Sequence, residues 1–111
     1  MATINNPFSA AGTLTIAATG TTAATISNNE TVVTSLTTLT GNATLDLTLS
    51  SELKAGAALH IKVKTNGSET FTFGTGIDAP TVTGAAGKTW CQSFFYDGTI
   101  FLPCGAKIQI D

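Results

Sequence analysis

Hydrophobic and polar positions alternate with period two in several stretches of the chain. The clearest covers residues 43–50, where Leu45, Leu47 and Leu49 share one parity and Thr44, Asp46, Thr48 and Ser50 the other. Successive side chains of a strand point to opposite faces, so this spacing predicts a half-buried strand. Leu59, Ile61 and Val63 alternate with His60, Lys62 and Lys64 in the same way. Leu14 and Ile16 between Thr13 and Thr15 give a first short strand, and residues 21–26 a second. In residues 31–40, Val33 and Leu39 share one parity and Val32 and Leu36 the other, which calls for a bulge or for burial on both faces.

Turn residues punctuate these runs. Ser27-Asn28-Asn29-Glu30 reads as a turn, and residues 51–56 as a helical turn or loop closed by Gly56. Asn66-Gly67 is a strong hairpin signal. A three-residue loop from Asn66 to Ser68 would set Val63 opposite Phe71 and Ile61 opposite Phe73. Burial of the two Phe side chains at about 1.5 to 3 kcal/mol each outweighs the preference for a two-residue turn. After a loop over 74–80, a strand at 81–83 and a turn at 84–87, residues 88–96 and 99–102 flank Asp97-Gly98 as a second hairpin, and 106–110 forms the last strand. About eight short strands at this spacing predict an all-β fold, an antiparallel β-sandwich or jelly-roll. Residues 1–12 lack periodicity and read as an irregular N-terminal arm anchored by Phe8, leaving 13–111 as a single β-sandwich domain.

Composition agrees with that class. Charged residues make up only 11% of the 111 positions while 22 are Thr, so the wet faces must be built of hydroxyls and amides. Five Lys, no Arg and a net charge of −2 supply no basic footprint for nucleic acid. No stretch reaches the ~20 apolar residues of a membrane span. The opening residues Met1 to Pro7 show no basic segment followed by an apolar run, which leads us to expect a soluble chain that is not conventionally secreted.

Catalytic chemistry finds little footing. Gly84-Ala85-Ala86-Gly87-Lys88-Thr89 looks like the tail of a phosphate-binding loop, but Val82 stands where the first Gly belongs and Trp90 to Tyr96 reads as strand where a helix is needed. His60 is the sole histidine and sits on a wet face, and the acids are dispersed or occupy turns. We therefore expect no enzyme, no cofactor and no metal. A two-residue turn at Asp97-Gly98 would set Cys91 opposite Cys104, which leaves open a disulfide, two packed thiols or a metal pair, with Pro103 interrupting the ladder.

Trp90, Phe94, Tyr96 and Phe101 share one parity in that hairpin, and Phe95, Ile100 and Leu102 the other. A hairpin apolar on both faces is expected to lie between its own core and another subunit. Phe8, Trp90, Phe94, Tyr96 and Phe101 are accordingly the candidate contacts with another subunit or a larger partner, and an aromatic stripe of this kind could instead stack on glycan rings.

Several signatures of the later chain resemble a known family. Thr40-Gly41-Asn42-Ala43-Thr44-Leu45-Asp46-Leu47, Leu53-Lys54-Ala55-Gly56, Phe71-Thr72-Phe73-Gly74-Thr75-Gly76-Ile77, Phe95-Tyr96-Asp97-Gly98-Thr99 and the ending Ala106 to Asp111 resemble small β-sandwich virion proteins of tailed bacteriophages, namely capsid decoration proteins and the shell-bound modules of head fibres. The resemblance covers about residues 35–111 and rests on turn and strand signatures. It implies a non-enzymatic decoration or cement protein, made in the host cytoplasm and bound as a homotrimer to the major capsid protein on the capsid exterior. A tail- or head-fibre module that binds host glycan is the alternative.

Overall fold

The computed structural model describes residues 12–35 and 38–110. The expected arm, with its Phe8 anchor and contact, falls almost wholly outside them. Among the described residues the chain forms ten strands: β1 (Gly12–Ile16), β2 (Gly20–Ile26), β3 (Glu30–Ser35), β4 (Ala43–Leu49), β5 (Ala58–Lys64), β6 (Thr70–Phe73), β7 (Val82–Thr83), β8 (Thr89–Tyr96), β9 (Phe101–Pro103) and β10 (Ile108–Gln109). They build two sheets. Sheet A runs β1-β3-β5-β8-β10 with β9 also beside β8, and sheet B runs β2-β4-β6-β7.

The all-β expectation of two sheets packed over one core therefore holds, but the antiparallel pairing expected throughout does not, since the ladders among β1 to β6 are parallel. From β1 to β6 successive strands alternate between the sheets, and each pairs in parallel with the strand two places away. Leu14 lies beside Val33 and Val33 beside Ile61 in sheet A, while Thr22 lies beside Leu45 and Leu45 beside Phe73 in sheet B. Antiparallel ladders join β5 to β8, β8 to β9 and β10, and β6 to β7.

Asn66-Gly67 is correspondingly not a hairpin. It lies in an arch that carries the chain from β5 in sheet A to β6 in sheet B. Val63 pairs with Trp90 and Phe71 with Ala43 and Val82, so the anticipated Val63–Phe71 ladder does not form. Both arrangements bury Ile61, Val63, Phe71 and Phe73; the arch does so by facing the two strands across the core rather than placing them side by side. The arch is held by the N–H of Asn66 on the Leu39 carbonyl and by the N–H of Thr65 on the Lys88 carbonyl, both at 3.1 Å.

The core takes one parity from each strand. Val33, Leu45, Leu47, Leu59, Ile61, Val63, Phe71, Trp90, Phe94 and Phe101 are all buried within it. Thr44, Thr48, Lys62 and Lys64 face outward as the alternation required, and Leu49 is half-buried against the core margin. Close approach of the loop after β6 requires glycine at one point: Gly76 has φ +87°, and a Cβ there would stand 2.8 Å from the Leu47 carbonyl oxygen.

Candidate functional site

β8 is the strand on which the site is organised, because it is laddered on both sides and alternates from Trp90 to Tyr96. Its inward residues Trp90, Gln92, Phe94 and Tyr96 are buried, whereas Cys91 and Ser93 are half-buried and Phe95 exposed on the outer face of sheet A. This corrects the sequence-based contact surface. Trp90 is 2% exposed, Phe94 1%, Tyr96 8% and Phe101 0%, so all four belong to the protein's own core and present no face to a partner. Their shared parity was legible; the choice of which face met the interior was not, since both faces of the hairpin are apolar. Phe8 lies outside the described residues.

The turn at Asp97-Gly98 explains a second difference. Tyr96 pairs with Phe101, enclosing the four residues 97–100, so the register is shifted two residues from that of a two-residue turn. The carboxylate of Asp97 accepts N–H bonds from Thr99 at 2.8 Å and Ile100 at 2.9 Å, which fixes the longer loop. These bonds hold its carboxyl below the ordinary range, that of Ile100 counting most.

The shifted register separates the two cysteines. Cys91 lies beside Ile108 of β10, while the Cys104 N–H donates to the Ser93 carbonyl at 2.9 Å. Both thiols are free, Cys91 half-buried and Cys104 exposed. They occupy diagonal rather than opposite positions on the outer face, where side chains stand farther apart than a disulfide spans. With Ser93 and Ile108 they line one shallow concavity of about 200 Å³.

The β3–β5 and β5–β8 pairings assemble a polar chain across three strands. His60 of β5 lies opposite Ser93 of β8, and its Nδ1 is 2.9 Å from the Ser93 hydroxyl. Its Nε2 stands 3.6 Å from a carboxylate oxygen of Glu30 on β3. Hydroxyl, imidazole and carboxylate in that order match the arrangement that activates a nucleophile. Here they run along an open sheet face, with the His60 and Glu30 side chains 43% and 50% exposed, so their contact is open to water. The chain links β3, β5 and β8 on the outer surface. Alternation had placed His60 on a wet face, but its partners on other strands required the topology. Among the described residues no group of three or more His, Cys, Asp or Glu is arranged to hold a metal ion.

The exposed large apolar side chains are spread along the β8–β10 side of sheet A, with Phe95 four positions up β8 from Cys91, the partner of Ile108, roughly 13 Å away along the strand. Phe95 is 41% exposed, Ile108 68% and Ile110 57%. Cross-strand pairing sets Ile108 beside Cys91, Phe95 beside Leu102, and the Ile110 N–H on the Thr89 carbonyl. The segment carrying the two isoleucines is tied down from both sheets. Gln92 Nε2 donates to the Gly105 carbonyl at 2.7 Å, and Lys107 Nζ to the Thr83 carbonyl of β7 at 2.8 Å. Its apolar side chains are therefore held outward on an anchored segment. The sequence places Phe95 on the second apolar face of the hairpin and residues 108 and 110 in the last strand, but parity alone does not single them out as the exposed contacts.

Comparison with protein-family models, with curated proteins and with solved structures finds no match in any of the three.

Proposed function

We propose that the protein is a non-enzymatic structural component of a phage head, a decoration or cement protein that binds the outer surface of the major capsid protein, as a homotrimer, and ties neighbouring capsomers together. The observation that carries the reading is the apolar edge of sheet A. Phe95, Ile108 and Ile110 are each exposed, spaced along the β8–β10 side of a β-framework of low charge, a combination suited to docking on another protein surface. The family resemblance of the turn and strand signatures supplies the identity of that surface. Weak contacts of this size become firm when several copies engage a repeating lattice.

The glycan alternative required Trp90 or Tyr96 as a stacking platform. Both are buried, so no specific observation favours it.

The test is co-sedimentation of the purified protein with capsids that lack it. Ile108→Lys and Phe95→Lys are expected to weaken capsid binding about tenfold or more, equivalent to ~1.4 kcal/mol, at an unchanged unfolding midpoint. Undiminished binding of both variants would remove this edge as the contact. Failure of the wild-type chain to sediment with capsids would overturn the reading itself.

A further inference from the structure

The Asn66-Gly67 pair forms no hairpin, and its surroundings give it a different chemistry. Asn66 is exposed at the crest of the β5–β6 arch. The following backbone N–H, that of Gly67, donates to the Glu69 carboxylate at 2.7 Å. That nitrogen is the atom that attacks an asparagine side-chain carbonyl when a succinimide forms, and glycine places no Cβ in the way. A carboxylate within hydrogen-bond reach of the proton to be removed meets the geometric requirement for a general base.

We propose that Asn66 is a site of self-catalysed deamidation, with Gly67 supplying the nucleophile and Glu69 the base. As the Gly67 nitrogen bonds to Asn66 Cγ, its proton passes to Glu69. The tetrahedral centre then breaks its bond to the side-chain nitrogen, which takes up the proton and leaves as ammonia. Water opens the resulting succinimide at either carbonyl, giving aspartate or isoaspartate, so that one water is consumed and one ammonia released with no change of oxidation state.

The product adds a negative charge to the arch, and the isoaspartate form adds a methylene to its backbone. The insertion falls next to Thr65, which holds the 85–88 turn through its N–H on the Lys88 carbonyl and its hydroxyl on the Ala85 carbonyl at 2.8 Å. Modification is thus expected to loosen the contact between the arch and that turn.

The experiment follows the intact chain at neutral pH and 37 °C by peptide mass mapping of residue 66, in wild type and Glu69→Gln. Glutamine keeps an acceptor for the Gly67 N–H but is no base. The variant is expected to deamidate about a hundredfold more slowly, the low end of what a positioned base supplies. A second comparison needs no variant: the folded wild type is expected to deamidate faster than the same chain unfolded in urea, because only the fold positions Glu69. An equal or faster rate in Glu69→Gln, or a faster rate in the unfolded chain, would overturn the proposal.

Discussion

The Phe71 ring of sheet B meets the Trp90 indole of sheet A edge-on, with centroids 5.5 Å apart and planes at 82°. Phe73 and Phe94 repeat the relationship at 5.1 Å and 62°. These two contacts join the sheets at the centre of the core, where edge-to-face pairs add to the gain from burial. Trp90→Ala is expected to destabilise the protein by about 3 to 5 kcal/mol. The Trp90 Nε1 is buried with no hydrogen-bond partner among the described residues, so Trp90→Phe sheds an unpaired polar group and should cost less than the alanine change. Urea unfolding, with the single Trp as fluorescence probe in wild type and circular dichroism in the variants, checks both.

Gly76 and Gly87 both adopt positive φ, at +87° and +69°, but only Gly76 is also closed in, by Leu47. Alanine at either position meets the left-handed penalty of about 1 to 2 kcal/mol. Gly76→Ala must in addition displace the loop from β4, so its loss of stability should exceed that of Gly87→Ala. Equal losses would mean that the loop after β6 does not lie against Leu47.

What the sequence disclosed and what it withheld divide along physical lines. Alternation in 43–50 and 58–64 assigned inward and outward residues correctly, because parity depends only on the strand itself. Whether Val63 and Phe71 sit side by side or face each other across the core depends on which sheet receives the next strand, and either solution buries the same side chains. The two-residue register shift at Asp97-Gly98 preserved parity for the same reason. It nonetheless moved Cys104 from opposite Cys91 to opposite Ser93. The Glu30–His60–Ser93 chain was hidden because its members come from three strands brought together only by the mixed parallel and antiparallel pairing.

The two thiols provide a direct check on that register. Both should titrate with a thiol reagent in the folded protein under non-reducing conditions, exposed Cys104 faster than half-buried Cys91. A single mass species two hydrogens lighter, inert to the reagent until reduced, would show the cysteines bridged and the register of β9 different from that described.

Asp97 gives a pH signature. Hydrogen bonds from Ile100 and Thr99 favour its ionised form in the folded state, lowering its pKa relative to the unfolded chain. Its contribution is present in full above the unfolded value and is lost as pH falls through the lower folded one. Asp97→Asn keeps an acceptor for the loop and removes the titration. The variant should therefore be less stable than wild type near neutrality, with the difference shrinking on acidification. Unfolding curves taken at intervals from pH 7 to about pH 2 measure this; a difference that does not vary with pH would contradict the assignment.

The proposed role as a shell decoration is tested most directly by quantitative mass spectrometry of gradient-purified particles, taking the ratio of this chain to the major capsid protein. Copies numbering on the order of hundreds per particle are expected, since multivalent occupation of a repeating shell is what makes such weak contacts hold. Absence of the chain from the particles, or a mere handful of copies, would contradict it.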